Sequence, residues 1–367
     1  MCVQPDTGRG QPEHELEMPV MAQRWTRKRR LAALVCVAAS AGATVAGCGG
    51  ASGLPPTSIA GPGSRTIVWG AGGPVEFPIY EEAGSLLSGQ GLRLNYQLLD
   101  PRAAMSGFLA GRLAFDAGDG PAPSQVLSRQ GATYAEVVPV AVWGVSVIYD
   151  LPSVHVRLNL DGKTLADIFR GSVASWNNRE IKRDNPGVSL PAIPIRVVHR
   201  SDPATATAIL TGYLSASSKR WRRKIGSGPT IHWPGGTADL GDQAVVQSIT
   251  STRGSIGYTE QPVALQNGLT AAALRTASKT YVAPTIATAT NSTYPLLTSA
   301  YLLTYRDPCI AGLSAPETAA AQRVLTYLLG PGQAVVRRLW FAPLPRRVRA
   351  VARATVAHLQ CESQPIG

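Results

Sequence analysis

From Thr66 onward, apolar and polar positions fall into short blocks of alternating period. Thr66-Ile67-Val68-Trp69-Gly70 reads as a strand entering the glycine-rich turn Gly70-Ala71-Gly72-Gly73. Pro78 to Leu87 has helical spacing, and Leu92-Arg93-Leu94-Asn95-Tyr96 alternates as a strand does. Ala103 to Gly111 is a helix candidate, and Ala114 to Asp119 ends a short strand. The order β-α-β-α-β predicts an α/β lobe.

A long apolar run from Val137 through Ile148, bounded by Pro152, predicts buried strands that pass into a second lobe. Beyond it come a short helix over Leu165 to Arg170 and a strand over Ile195 to Val198. The loop His199 to Pro203 then leads into a helix over Ala204 to Leu214. Ser255 to Tyr258 and Leu297 to Thr304 read as strands, and Ala315 to Leu329 and Gln333 to Arg338 as helices. No internal repeat is visible.

The length of 367 residues suits two domains plus an export segment. A charged fraction of 16% excludes a disordered polyelectrolyte. The net charge of +12 raises the question of an anionic partner. The basic residues after position 47 are scattered, apart from Lys219–Lys224 and Arg346–Arg349, and read as solvated surface. No nucleic-acid partner is expected.

The chain begins with a different pattern. Arg24-Trp25-Thr26-Arg27-Lys28-Arg29-Arg30 precedes an apolar run from Leu31 to Gly47, which ends in Val45-Ala46-Gly47-Cys48. A basic region, an apolar region and small residues before a boundary make a secretory signal. Val-Ala-Gly-Cys resembles the lipobox of bacterial lipoproteins, which implies lipidation at Cys48 and attachment to the bilayer through it. Residues 1–47 are thus the signal region. Four acids precede the basic run, so translation is expected to start at Met18 or Met21. Residues 48–65, rich in Gly, Ser, Pro and Ala, form the lipidated cysteine and a flexible tether. Of five cysteines, export removes Cys2 and Cys36 and lipid takes Cys48. Cys309 and Cys361 then remain in an oxidising compartment, either as a disulfide or as two separate buried thiols.

Catalysis has little support. The histidines have no metal-ligand spacing, and there is no nucleophile elbow or Walker loop. No catalytic residue, metal or cofactor is expected.

Several segments together resemble the periplasmic phosphate-binding proteins of ABC importers. They are Gly70-Ala71-Gly72-Gly73 with Phe77-Pro78, Ala114 to Pro121, and Leu160-Asp161-Gly162-Lys163-Thr164-Leu165. Trp176-Asn177-Asn178, Val197-Val198-His199-Arg200-Ser201-Asp202, Trp233-Pro234-Gly235-Gly236, Gly254 to Tyr258 and Tyr294-Pro295-Leu296 follow in order. The resemblance implies an α/β, two-lobed periplasmic-binding-protein-like fold of type II with hinge crossovers. Lobe one would be 66–150 plus 294–361, and lobe two 151–293. It also implies an inorganic phosphate or related oxyanion as ligand and an ABC permease in the membrane as partner, on the extracytoplasmic face.

In such a pocket Asp119 matches the acceptor that takes the hydrogen of protonated phosphate and so rejects sulfate. Arg200 matches the anion-binding arginine, and Asp202 the carboxylate that holds it. The ligand loops depart from the family. Its Thr-Phe pair is replaced by Pro74-Val75 without a gap, or by Glu76-Phe77 after a shift. Its serine loop becomes Asp100-Pro101-Arg102-Ala103-Ala104, and its Ser-Gly-Thr becomes Ala204-Thr205-Ala206. Three hydroxyl donors are gone, and the two prolines lack an N–H. Arg102 could restore charge and Thr205 or Thr207 a hydroxyl, whereas a carboxylate at Glu76 would repel an anion. The expected ligand set is Asp119, Arg200, Asp202, Arg102, Val75 and Thr205, in a member whose phosphate affinity is weakened or whose ligand has changed. The alternative is a non-transport envelope lipoprotein that keeps the scaffold for partner binding or sensing.

Overall fold

The computed structural model describes residues 66–121, 135–359 and 361. The signal region, Cys48 and the tether lie outside them. Among the described residues no helix is long and apolar enough to cross a membrane.

The first elements are β1 (Ile67–Gly72), α1 (Phe77–Ser88), β2 (Arg93–Leu98), α2 (Pro101–Leu109) and β3 (Phe115–Asp119). α2 starts earlier than its apolar spacing predicts. Pro101 occupies its first turn, where a missing N–H costs nothing, and Asp100 caps it by accepting from the N–H groups of Arg102 and Ala103.

The long apolar run is one strand, β4 (Ala135–Tyr149). Then come β5 (Asn159–Leu160), α3 (Gly162–Phe169), α4 (Arg179–Asp184), β6 (Arg196–Arg200), α5 (Thr205–Ser217), α6 (Lys219–Lys224), β7 (Thr237–Asp239) and α7 (Gly241–Ser251). β8 (Ser255–Glu260), α8 (Gln261–Gln266), β9 (Ala273–Arg275), β10 (Tyr281–Val282) and α9 (Ile286–Thr290) follow. The chain closes with β11 (Leu297–Tyr305), α10 (Ala315–Leu328), α11 (Gly332–Arg338) and α12 (Arg346–Ala357). His199 and Arg200 belong to β6 and not to the loop expected there, because β6 pairs in parallel with β7 through Arg200↔Asp239.

The main sheet has the order β2-β1-β3-β11-β4-β8-β6-β7. β1 is parallel to β2 and β3, so their carboxyl ends share one edge. β4 pairs antiparallel with β11 over Ala135 to Gly144 and then with β8 over Val145 to Tyr149.

Two hydrophobic cores flank this passage. One includes Tyr80, Phe108, Phe115, Trp143 and Leu302, the other Val145, Phe169, Trp176, Trp221 and Tyr258. β4 changes core between Trp143 and Val145. Gly144 stands between, where a Cβ would come within 2.9 Å of Tyr294. Its N–H donates to Gln261 Oε1 at 2.7 Å. The β4–β11 register slips beside Pro139, whose missing N–H makes a bulge the cheapest solution. The carbonyl of Val140 at the slip accepts from Gln333 Nε2 at 2.9 Å.

Cys309 and Cys361 form a disulfide with Cα atoms 5.2 Å apart, tying the segment after α12 to the turn after β11.

Candidate functional site

β3 ends at Asp119, on the carboxyl edge of the parallel strands, where α/β sheets generally hold ligands. Gly120 turns the chain away with φ 84°, a conformation that favours glycine. A Cβ there would also lie 3.2 Å from Thr205 Cγ2. Thr205 is the first residue of α5, in the other half of the molecule, and its Oγ1 donates to Asp119 Oδ1 at 3.1 Å. Burial raises the Asp119 pKa, while the Thr205 hydroxyl and Arg200 pull it back.

Arg200, the last residue of β6, reaches the same place. Its Nε donates to Asp202 Oδ1 at 2.8 Å, and its Nη2 to Asp202 Oδ2. Nη1 lies 2.9 Å from Asp242 Oδ2. A guanidinium has five N–H groups, so these contacts leave two for another acceptor. Burial works against the cation, but the bonds to Asp202 and Asp242 outweigh it and hold the Arg200 pKa well above its ordinary value. In return Arg200 pulls Asp202 down to about 2.

Around this pair the positions are fixed by further bonds. Gly241, at φ 79°, starts α7 and donates its N–H to Asp202 Oδ1 at 3.1 Å. Thr259 Oγ1 donates to Asp242 Oδ1 at 2.8 Å. The Arg200 N–H donates to the Tyr258 hydroxyl at 3.2 Å, and that hydroxyl pairs with Thr207 Oγ1 at 2.6 Å. His199 stacks on Trp233, ring centroids 4.8 Å apart, and burial lowers its pKa.

Three more carboxyls surround the site. Glu76 stands at the N-cap position of α1 without capping it, 1% exposed. Burial, followed by the charge of Asp119, pushes its pKa up to about 8. Burial also pushes Asp116 up to about 7. Glu260 is buried, accepts from the Trp143 indole N–H, and is raised well above the carboxylate range by burial and by Asp242 and Asp119. Among the described residues, the group of acidic or sulfur ligands close enough to share a metal ion is Asp307, Cys309 and Cys361, and both cysteines are spent in the disulfide.

Of the residues expected from sequence, Asp119, Thr205, Arg200 and Asp202 come together. Arg102 is exposed in the first turn of α2. Val75 packs on the first core. Thr207 is buried and engaged by Tyr258. Sequence reasoning missed Asp242, Tyr258, Thr259 and Glu260. Gly241-Asp242 ahead of an apolar-periodic run was a usable helix-start signal for the first of these.

A sequence model described as the PBP superfamily domain matches residues 62–331. The phosphate-binding protein PstS of Xylella fastidiosa strain Temecula1 is 34% identical over 217 residues, 59% of each chain. That of strain 9a5c is 31% identical over 254 residues, covering 66% of this chain and 69% of the relative. The matches therefore span about three fifths to two thirds of these relatives. Among solved structures, the periplasmic phosphate-binding protein PfluDING with phosphate bound superimposes with a TM-score of 0.59 at 18% identity, over 78% of this chain and 93% of that one. The structural likeness shows a shared two-lobed fold. On the domain match and the strain 9a5c relative, the chain belongs to the PBP superfamily and, within it, to the family of phosphate-binding proteins.

Proposed function

We propose that the chain is an extracytoplasmic, lipid-anchored solute-binding protein. It takes inorganic phosphate or a related tetrahedral oxyanion between its lobes and delivers it to an ABC importer, without catalysis. The observation that carries this reading is the meeting of Asp119, from the first core, with Thr205 and the Arg200–Asp202 pair, from the second.

The chemistry suits a protonated oxyanion. Arg200 has two N–H groups left, and a charge-assisted contact from it is among the strongest a protein offers. α5, a helix of 13 residues from Thr205, has no side-chain cap at Ala204, so the N–H groups of its first turn are available to an anion with the helix dipole behind them. Asp119 accepts the hydrogen that phosphate retains and sulfate at neutral pH lacks.

The loops argue for weak binding. The N-terminal donors of α2 are already taken by Asp100. Each hydrogen bond lost to a charged group costs about 1.5–3 kcal/mol, so three uncompensated losses weaken affinity by about a thousandfold or more.

In this reading the lobes divide near Gly144 and Leu297 rather than at the expected 150 and 293, since Val145, Tyr149, Tyr294 and Leu296 belong to the second core, and the hinge lies where β4 and β11 pass between the cores. Export and lipidation at Cys48 follow from the signal region, and the mass of the membrane-extracted protein against a Cys48→Ser variant tests them.

Titration calorimetry with phosphate, sulfate and phosphonates, on wild type, Asp119→Asn and Arg200→Ala, tests the ligand. Phosphate binding in the micromolar range or weaker, lost in both variants, is expected. Submicromolar binding refutes the weakening, and no binding of any oxyanion refutes the uptake reading. The bond from Thr205 that already satisfies Asp119 favours a second reading, an envelope lipoprotein with a partner-binding scaffold. Ligand-induced compaction in small-angle scattering supports uptake, whereas a native preparation free of small ligand supports the second.

A further inference from the structure

The carboxyl edge of the first lobe carries a buried acid that the ligand chemistry above does not use. Glu76 follows β1 and Asp119 ends β3, two strands paired in parallel, so both groups stand at the same edge of the sheet. Glu76 is 1% exposed, its Oε1 has no hydrogen-bond partner among the described residues, and it leaves its own helix uncapped. The groups whose charge it senses, or that sense its own, are Asp116 and Asp119 on β3, Tyr80 on α1, Tyr96 on β2 and Tyr301 on β11. None is a cation, and Arg200 is bound to Asp202 and Asp242.

The backbone N–H groups of Gly73 and Glu76 reach the carboxyl and favour its charged form, but burial outweighs them, and a buried carboxylate without a cation keeps a proton. The oxygens of Glu76, Asp116 and Asp119 are not gathered closely enough to share a metal ion. The proton remains, and the Glu76 pKa of about 8 agrees with it. A neutral carboxyl carries an O–H donor.

Resting on the oxyanion reading above, we propose that Glu76, as its carboxylic acid, is the hydrogen-bond donor that the first lobe offers the bound oxyanion in place of the missing hydroxyl. Glu76 and Asp119 then have opposite roles. Asp119 accepts from the anion, Glu76 donates to it, and the cleft binds only while Glu76 holds its proton.

The test is phosphate affinity by calorimetry from pH 6 to 9.5 in wild type, Glu76→Gln and Glu76→Thr. Comparing proteins at each pH cancels the titration of phosphate itself. Gln donates at every pH, so its affinity should stay within about threefold of wild type at pH 7. The ratio of wild-type to Gln affinity should fall roughly tenfold between pH 7 and 9, as one linked proton with a pKa of about 8 requires. A ratio that does not change with pH overturns the inference and leaves the uptake reading standing. So does Gln binding more than tenfold tighter at pH 7, which marks a repelling carboxylate. Absence of binding of phosphate, sulfate and phosphonate alike by wild type at every pH overturns both. Carbon-13 NMR of the wild-type Glu76 carboxyl needs neither variant nor ligand. A midpoint near the ordinary 4.5 overturns the proposal; one near 8 agrees with it.

Discussion

The hydroxyl of Thr205 at the start of α5 donates to the carboxylate of Asp119 at the end of β3 across 3.1 Å, so one hydrogen bond links the two cores. Removing the hydroxyl leaves a half-buried carboxylate short of a donor, which costs about 1.5–3 kcal/mol at most when the acceptor is charged. Thr205→Val should therefore lower the stability of the ligand-free protein by roughly that amount in urea unfolding, and Thr205→Ser should restore most of it. Equal stability in wild type and the valine variant would show that the bond is not made in solution.

Arg200 bridges two carboxylates on different elements, Asp202 after β6 and Asp242 in α7. A lysine ammonium cannot reproduce the planar fork that reaches both. Arg200→Lys should cost at least tenfold in oxyanion affinity by calorimetry. Arg200→Ala should destabilise by about 1.5–3 kcal/mol, because it leaves two partly buried acids without their cation. Asp242→Asn should cost less than Arg200→Ala, since Asp202 still holds the guanidinium.

The raised acids set a pH dependence of stability. Glu76 moves from 4.5 to about 8 on folding, so the folded chain keeps a proton that the unfolded chain loses between those values. Its contribution is fully present below pH 4.5 and is lost as pH rises to about 8; Asp116 acts likewise between 3.8 and about 7. Asp202, lowered to about 2, contributes above pH 3.8 and its share is lost as pH falls through 2. The ligand-free protein should melt several degrees lower at pH 8.5 than at pH 5. Glu76→Gln should flatten part of that fall, the rest coming from Asp116 and Glu260, and a fall of undiminished size in this variant counts against Glu76 as a source.

The disulfide closes a loop across a sequence separation of 52 residues. Cys309→Ser with Cys361→Ser should lower stability by about 2–4 kcal/mol. Hydrogen exchange should show the loss concentrated in α12, with β1 to β3 protected as before.

How much of this was legible in the sequence depended on whether local pattern or tertiary contact decided the matter. β1, α1, β2 and β3 follow directly from period and breaks. α2 needed capping chemistry, since Pro101 reads as a loop until Asp100 is seen to cap it. Asp119, Arg200 and Asp202 were readable only through the resemblance of their segments to the phosphate-binding family; period and spacing alone would have left a turn residue and a surface ion pair. Asp242 and Glu260 were not, because neither has a local partner. Each becomes significant only when the parallel pairing of β6 with β8 and the sheet's return to β4 bring it beside Arg200. Glu76 was seen as a repelling charge. Its burial, which sequence does not disclose, turns it into an acid.

The passage between the cores has a mechanical consequence. β4 runs unbroken for 15 residues, ~50 Å at strand rise, and lies antiparallel to β11 along most of that length. Two hydrogen-bonded strands resist stretching and in-plane shear far more than they resist winding about their common axis. In the uptake reading, one half of the molecule turns against the other about that ribbon, like the ends of a torsion bar, without sliding away. Gly144, which has no side chain to meet Tyr294, sits where the ribbon passes from one core to the other.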